Sequence, residues 1–153
     1  MEARLATIRD APLLVSLHAE SFGDACWSRE QFNDSLALPT TQAWVIEQNG
    51  AIQGFILCQT AGDEAEILTF CVTRNARGKG VGRLLLMAAI AEARKKNAHR
   101  MFLEVAVDNQ PALRLYETSG FRVIGSRANY YQREGKSVDA VMYSLDLQAH
   151  RRD

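Results

Sequence analysis

The chain has 153 residues, 47% of them apolar and 24% charged, which fits one ordinary globular domain and excludes disordered and fibrous classes. Eighteen Lys and Arg balance eighteen Asp and Glu, so the composition argues against a general affinity for nucleic acid or an anionic membrane. No apolar run approaches the roughly 20 residues that span a bilayer, and the opening MEARLATIRD has no basic stretch leading into an apolar one, so no secretory signal is expected.

Cys26, Cys58 and Cys71 are odd in number, far apart and set among apolar residues. That pattern predicts buried reduced thiols and a cytoplasmic protein. His18, His99 and His150 have no metal-ligand spacing with one another or with the cysteines, so no metal is expected.

In chain order, Arg4 to Ile8 reads as a first strand. Asp10 starts a helix with Pro12 in its first turn, continued by Leu13, Leu14, Leu17 and Phe22 at helical period. Ser28, with Gln31 three residues on, matches a capping box and starts a second helix that stops before Pro39. Strands follow at Ala43 to Glu47 and Ile52 to Cys58. Between them Asn49-Gly50 supplies two residues that tolerate positive φ, a hairpin signal. Glu66 to Val72 is the next strand, then a Gly-rich loop and a long helix from Val81 to about Lys96. Met101 to Val105 is an apolar strand, and a short helix runs from about Gln110 to Ser119, ended by Gly120. Strands near Phe121 to Ser126 and Ala140 to Leu147 complete the fold, with a polar tail over 148–153. Hairpins first and helix-separated strands later predict an α/β (α+β) domain over 1–147: a mixed, mostly antiparallel sheet of about seven strands with helices on both faces.

The loop Arg77-Gly78-Lys79-Gly80-Val81-Gly82-Arg83 joins an apolar strand to a helix. Glycines permit close backbone approach, and a helix start offers unpaired N–H groups at the positive end of its dipole. Phosphates bind such places, and Arg77, Lys79 and Arg83 add cationic charge. Lys79 is followed by Gly80 and not Ser or Thr, which excludes a Walker A loop. Arg83 stands where the dinucleotide fingerprint needs its third glycine. A plain flexible turn is the competing reading.

Arg77, Gly80 and Gly82 form an Arg-x-x-Gly-x-Gly pattern that resembles the pyrophosphate motif of the GNAT acetyltransferases. Leu103-Glu104-Val105, Asn109, Leu115-Tyr116-Glu117, Gly120-Phe121, Asn129-Tyr130-Tyr131 and Trp27-Ser28 with Phe32 are similar to the RimI-type branch. The resemblance covers about residues 2 to 147 and implies the GNAT fold, acetyl-CoA as co-substrate, and acetylation of the N-terminal alanine of a small-subunit ribosomal protein. It implies that the strand before the loop splays from its neighbour and that the backbone of Phe70, Cys71 and Val72 there pairs with the pantetheine arm and the acetyl carbonyl. The amides from Gly78 to Arg83 would hold the pyrophosphate, and Asn109 would contact the cofactor or simply cap its helix. Ala106 stands where the branch usually has a basic residue, so no charged contact with an acidic group is expected there.

Glu104 is the one acid in the apolar strand Met101-Phe102-Leu103-Glu104-Val105. Acids are rarely buried without a partner or purpose, so it reads as a catalytic base made more basic by burial, or as a solvent-facing or Arg-paired residue. The resemblance implies the base, acting through a water. Tyr116 reads as a core aromatic; the resemblance implies that it protonates the departing thiolate, which suits a phenol of pKa about 10 beside a thiol of about 8.5. Trp27, Tyr130 and Tyr131 are candidates for a peptide channel or for core or lid packing. The partner implied is a protein N-terminus, with no nucleic acid and no membrane. The alternatives are a GNAT enzyme acting on lysine or a small amine, or a silent acyl-CoA-binding module.

Overall fold

The computed structural model describes residues 1–133 and 135–148, so the expected tail, beyond Gln148, lies outside the described residues. The strands are β1 (Ala3–Leu5), β2 (Thr41–Gln48), β3 (Ala51–Ala61), β4 (Glu64–Val72), β5 (Arg100–Ala106), β6 (Arg122–Arg133) and β7 (Lys136–Asp146). The helices are α1 (Ala11–Phe22), α2 (Arg29–Ala37), α3 (Val81–Lys95) and α4 (Gln110–Thr118). All seven strands form one sheet in the order β1-β2-β3-β4-β5-β7-β6. The β4–β5 pair is parallel and every other pair antiparallel. The expected fold class is therefore the observed one.

Local chemistry accounts for the boundaries. Asn49 and Gly50 both take positive φ (54° and 79°) in the β2–β3 hairpin. Ser28 and Gln31 form a reciprocal capping box at the start of α2. Val81, Leu85, Leu86, Ala89, Ile90 and Ala93 put one buried stripe of α3 against the sheet. There they meet Ile46, Ile56, Met101 and Leu103 in one core. On the opposite face Leu14, Leu17 and Phe32 of α1 and α2 cover Val45, Phe55 and Leu57. Gly54 in β3 is forced: a Cβ there would stand 2.8 Å from the Cys71 carbonyl oxygen and 3.1 Å from Leu85 Cδ1.

The feature that positions the site is a splay in mid-sheet. β4 and β5 pair only at Glu64↔Arg100, Ala65↔Met101 and Glu66↔Phe102. Beyond that, β4 stays on β3 as far as Val72 and β5 stays on β7 as far as Ala106, so the two strands diverge. The register between β3 and β4 breaks where Leu57 faces Thr69 and Cys58 faces Ile67, leaving Leu68 as an extra residue. Such a bulge bends its strand and increases its twist, which turns the end of β4 away from β5.

Several sequence expectations need correction. The first strand ends at Leu5, short of Ile8, and although Asp10 stands at the start of α1 as expected, its carboxylate makes no cap bond there but accepts from the Thr7 amide and pairs with Arg4 at 3.0 Å, closing a separate turn at Ile8–Asp10. The last two strands are longer than expected, and Asn129, Tyr130 and Tyr131 lie within β6. Cys26 is only half buried, whereas Cys58 and Cys71 are buried free thiols.

Candidate active site

The Gly-rich loop follows the splayed end of β4. Gly78 and Gly80 hold φ of 77° and 87°, a region that side chains with a Cβ rarely adopt. Gly80 precedes α3 without side-chain capping, whereas α2 and α4 both carry side-chain caps. Leu84 is the first residue to bond back, to Gly80 O, so the amides of Val81, Gly82 and Arg83 lack intrahelical partners. That is the donor set an anion needs. Val81 buries its side chain in the core and has only its amide to offer. A Cβ on Gly82 would meet Leu115 Cδ2 at 3.4 Å and Phe70 and Val72 at 3.7 Å, so the start of α3, the end of β4 and α4 converge there.

Two of the three expected cations already hold this loop in place. Arg77 Nε donates to the Val72 carbonyl at 3.3 Å, and Arg83 Nη2 donates to Thr118 Oγ1 at 3.0 Å. Lys79 is exposed. Asn109 caps α4, its Oδ1 accepting from the Ala112 amide at 3.3 Å, so the capping reading of this residue holds.

Glu104 lies on β5 between Leu103 and Val105, which enter the α3 core. Strand alternation therefore points it to the other face. Its side chain is 23% exposed, and its Oε1 lies 3.1 Å from Arg127 Nε. The Tyr130 hydroxyl lies close enough to the same carboxylate for it to raise that phenol's pKa. Glu66 completes the cluster from β4; partial burial and then the Glu104 charge raise its pKa, and Arg127 opposes the rise. The Arg-paired reading of Glu104 is thus realised, and it leaves the carboxylate at the splay.

Tyr116 sits on the α3 side. It is 5% exposed, with its ring 6.3 Å from Phe70, 5.6 Å from Phe121 and 5.9 Å from Tyr143. Burial raises its pKa, with smaller contributions from Cys58, Tyr131 and Cys71, so the phenol keeps its proton at neutral pH. Burial also pushes the Cys71 thiol up to about 12, which leaves no thiolate to act as a nucleophile. Cys71 belongs to the α1–α2 core, whereas Phe70 and Val72 pack toward α3.

Trp27 packs in an aromatic cluster on the α1–α2 face, 5.2 Å from Phe32 and 5.7 Å from His18. Its amide donates to His18 Nδ1 at 3.0 Å. The core-packing reading of Trp27 accounts for these contacts. The structure brings Tyr130 to Glu104 and Tyr131 within electrostatic range of Tyr116. Sequence reasoning missed Arg127, Glu66 and His18. Arg127 carries no local signal, since its pairing depends on strand register across β7. A lone His beside apolar residues gave no sign of the backbone amide that it accepts.

Residues 11–121 match the model of the Acetyltransferase (GNAT) family. The ribosomal protein bS18-alanine N-acetyltransferase of Escherichia coli K12 is 33% identical over 144 residues, covering 94% of this chain and 97% of that protein. The N-alpha-acetyltransferase RimI of Mycobacterium tuberculosis is 34% identical over 134 residues, covering 84% of this chain and 83% of its own. The crystal structure of the ribosomal-protein-S18-alanine N-acetyltransferase from Escherichia coli superposes with a TM-score of 0.87 at 27% identity, covering 95% of this chain and 92% of that one.

Proposed function

The chain belongs to the GNAT acetyltransferase family and is an acetyl-CoA-dependent N-acetyltransferase, and from that premise we propose that its acceptor is the α-amine of a protein N-terminus, an alanine on the small-subunit ribosomal protein that its relatives are named for. The observation that carries the reading is the splay between β4 and β5, with a carboxylate on one face and a buried phenol on the other.

Acetyl-CoA supplies an acetyl group already activated as a thioester. The amides at the start of α3 would hold its pyrophosphate, and the β4 edge from Phe70 to Val72 its pantetheine arm. Glu104, through a water, takes a proton from the incoming ammonium. The amine nitrogen then forms the C–N bond as the C–S bond breaks. Tyr116 gives its proton to the departing thiolate, which is a stronger base than the thioester sulfur, so donation is timed to bond cleavage; the proton that the nitrogen sheds on becoming an amide makes the phenolate neutral again. Transfer is direct, since the Cys71 thiol is buried and protonated.

The choice of an α-amine follows from proton affinity. An α-amine has a pKa of about 7.7–8.0 and a lysine about 10.4. Freeing the lysine nitrogen at neutral pH costs about 3.5 kcal/mol more, at about 1.36 kcal/mol per unit. One carboxylate is adequate for the first task. Acetyl-CoA-dependent thiol release with three peptides tests the proposal: free N-terminal alanine, the same N-terminus blocked, and a blocked peptide bearing lysine. Release with the first alone is the expected result. Release with the lysine peptide alone would reassign the acceptor.

A further inference from the structure

Glu104 is not an open carboxylate. It shares its exposed side with two groups of β6, the Arg127 guanidinium at 3.1 Å and the Tyr130 hydroxyl. Both are placed there by specific devices. Arg127 faces Ala140 across the β6–β7 ladder, and Ala140 faces Ala106. Two alanines in that row leave room for the arginine to lie over β7 toward β5. Beyond Arg127 the register jumps, so that Tyr131 faces Val138 and residues 128–130 bulge opposite Asp139. Asn129 takes φ of 55° in this bulge, and its amide donates to Asp139 Oδ1 at 2.8 Å. The bulge sets the Tyr130 ring 5.3 Å from the Arg127 guanidinium carbon.

We infer that Arg127 is a built-in stand-in for the acceptor's ammonium group, a positioning residue that the incoming cationic N-terminus displaces from Glu104. This rests on the reading of Glu104 as the group that receives the acceptor. Three properties support it. Arginine cannot give up its proton, so here it holds charge and does not relay a proton. The pair is half exposed on the arginine side, at 52%, and exposed pairs are weakly held. The guanidinium already lies over the Tyr130 ring while it is paired, so it keeps that contact when the carboxylate is taken from it. Two carboxylates, Glu66 and Glu104, face the single Arg127 cation at rest, so the cluster has room for a second cation, the ammonium. Of the groups around Glu104, β4 contributes Glu66, β6 contributes Arg127 and Tyr130, and its β7 neighbour is the uncharged Met142.

The test is calorimetric titration of wild type, R127Q and R127K with a peptide of free N-terminal alanine and with the same peptide blocked. Displacement predicts that R127Q binds the free peptide about three- to fivefold more tightly, the value of one exposed charge contact. R127K should stay near wild type and the blocked peptide should gain nothing. Equal or weaker binding of the free peptide by R127Q, an equal gain for the blocked peptide, or R127K behaving like R127Q would each overturn the proposal. Binding is read without turnover, so this result is separate from acetyl location by mass spectrometry, which tests the α-amine reading itself.

Discussion

At the residue scale, the two candidate catalytic groups differ in how they meet solvent, and each environment suits one task. Glu104 stays partly wet and can reach a water, whereas Tyr116 is dry and holds its proton. Replacing Glu104 with Gln keeps the shape and removes the base, so kcat should fall by about 10²–10⁴ while acetyl-CoA binding stays near wild type. Equal losses in turnover and cofactor binding would make the residue structural. Tyr116→Phe keeps the packed ring and should lose turnover without a marked fall in Tm; steady-state kinetics and a melting curve on the same sample check both. Glu104 was visible in the sequence because a single acid interrupts an apolar strand. Its partner Arg127 was not, since 22 intervening positions and a strand in between separate them. Tyr116 by itself read only as core, and the core is where its ring lies.

At the element scale, the start of α3 separates conformation from contact. Gly80 needs its φ of 87° but has open space where a Cβ would go, whereas Gly82 has ordinary φ and faces the cleft. Gly80→Ala should therefore destabilise the fold by about 1–2 kcal/mol through left-handed strain. Gly82→Ala should leave Tm level or slightly raised, as expected for alanine in a helix, yet raise the KM for acetyl-CoA. Matching effects of the two variants on Tm would contradict this division. Elements governed by short-range chemistry were legible: the Asn49-Gly50 hairpin, the Ser28–Gln31 box and the periodic face of α3. The splay was implied by the family resemblance and not by any local pattern, because it arises from a bulge at Leu68 whose consequence appears only once β3, β4 and β5 are assembled. The β6–β7 hairpin was read short because its bulges, at Ile124 and at 128–130, break the alternation by which a strand is recognised.

At the scale of the whole molecule, the sheet carries one helical core on each face and opens between them, and stability is tied to pH through a group in the α1–α2 core. His18 is 2% exposed among aromatic rings, its Nδ1 accepts from the Trp27 amide, and burial lowers its pKa to about 4. Between the ordinary value of 6.5 and about 4, the unfolded chain binds a proton that the folded chain refuses. Stability is therefore fully present above that window and falls as the pH drops through it. Tm should decline from pH 6.5 to 4, and His18→Gln should flatten the decline; a wild-type Tm constant over that range would remove His18 as the cause. The central claim, α-amine selectivity at a splayed GNAT site, is tested most directly by one peptide carrying both a free N-terminal alanine and an internal lysine, incubated with acetyl-CoA and sequenced by tandem mass spectrometry. Acetyl on the α-amine with the lysine untouched is the predicted result; acetyl on the lysine, or on neither amine, would contradict it.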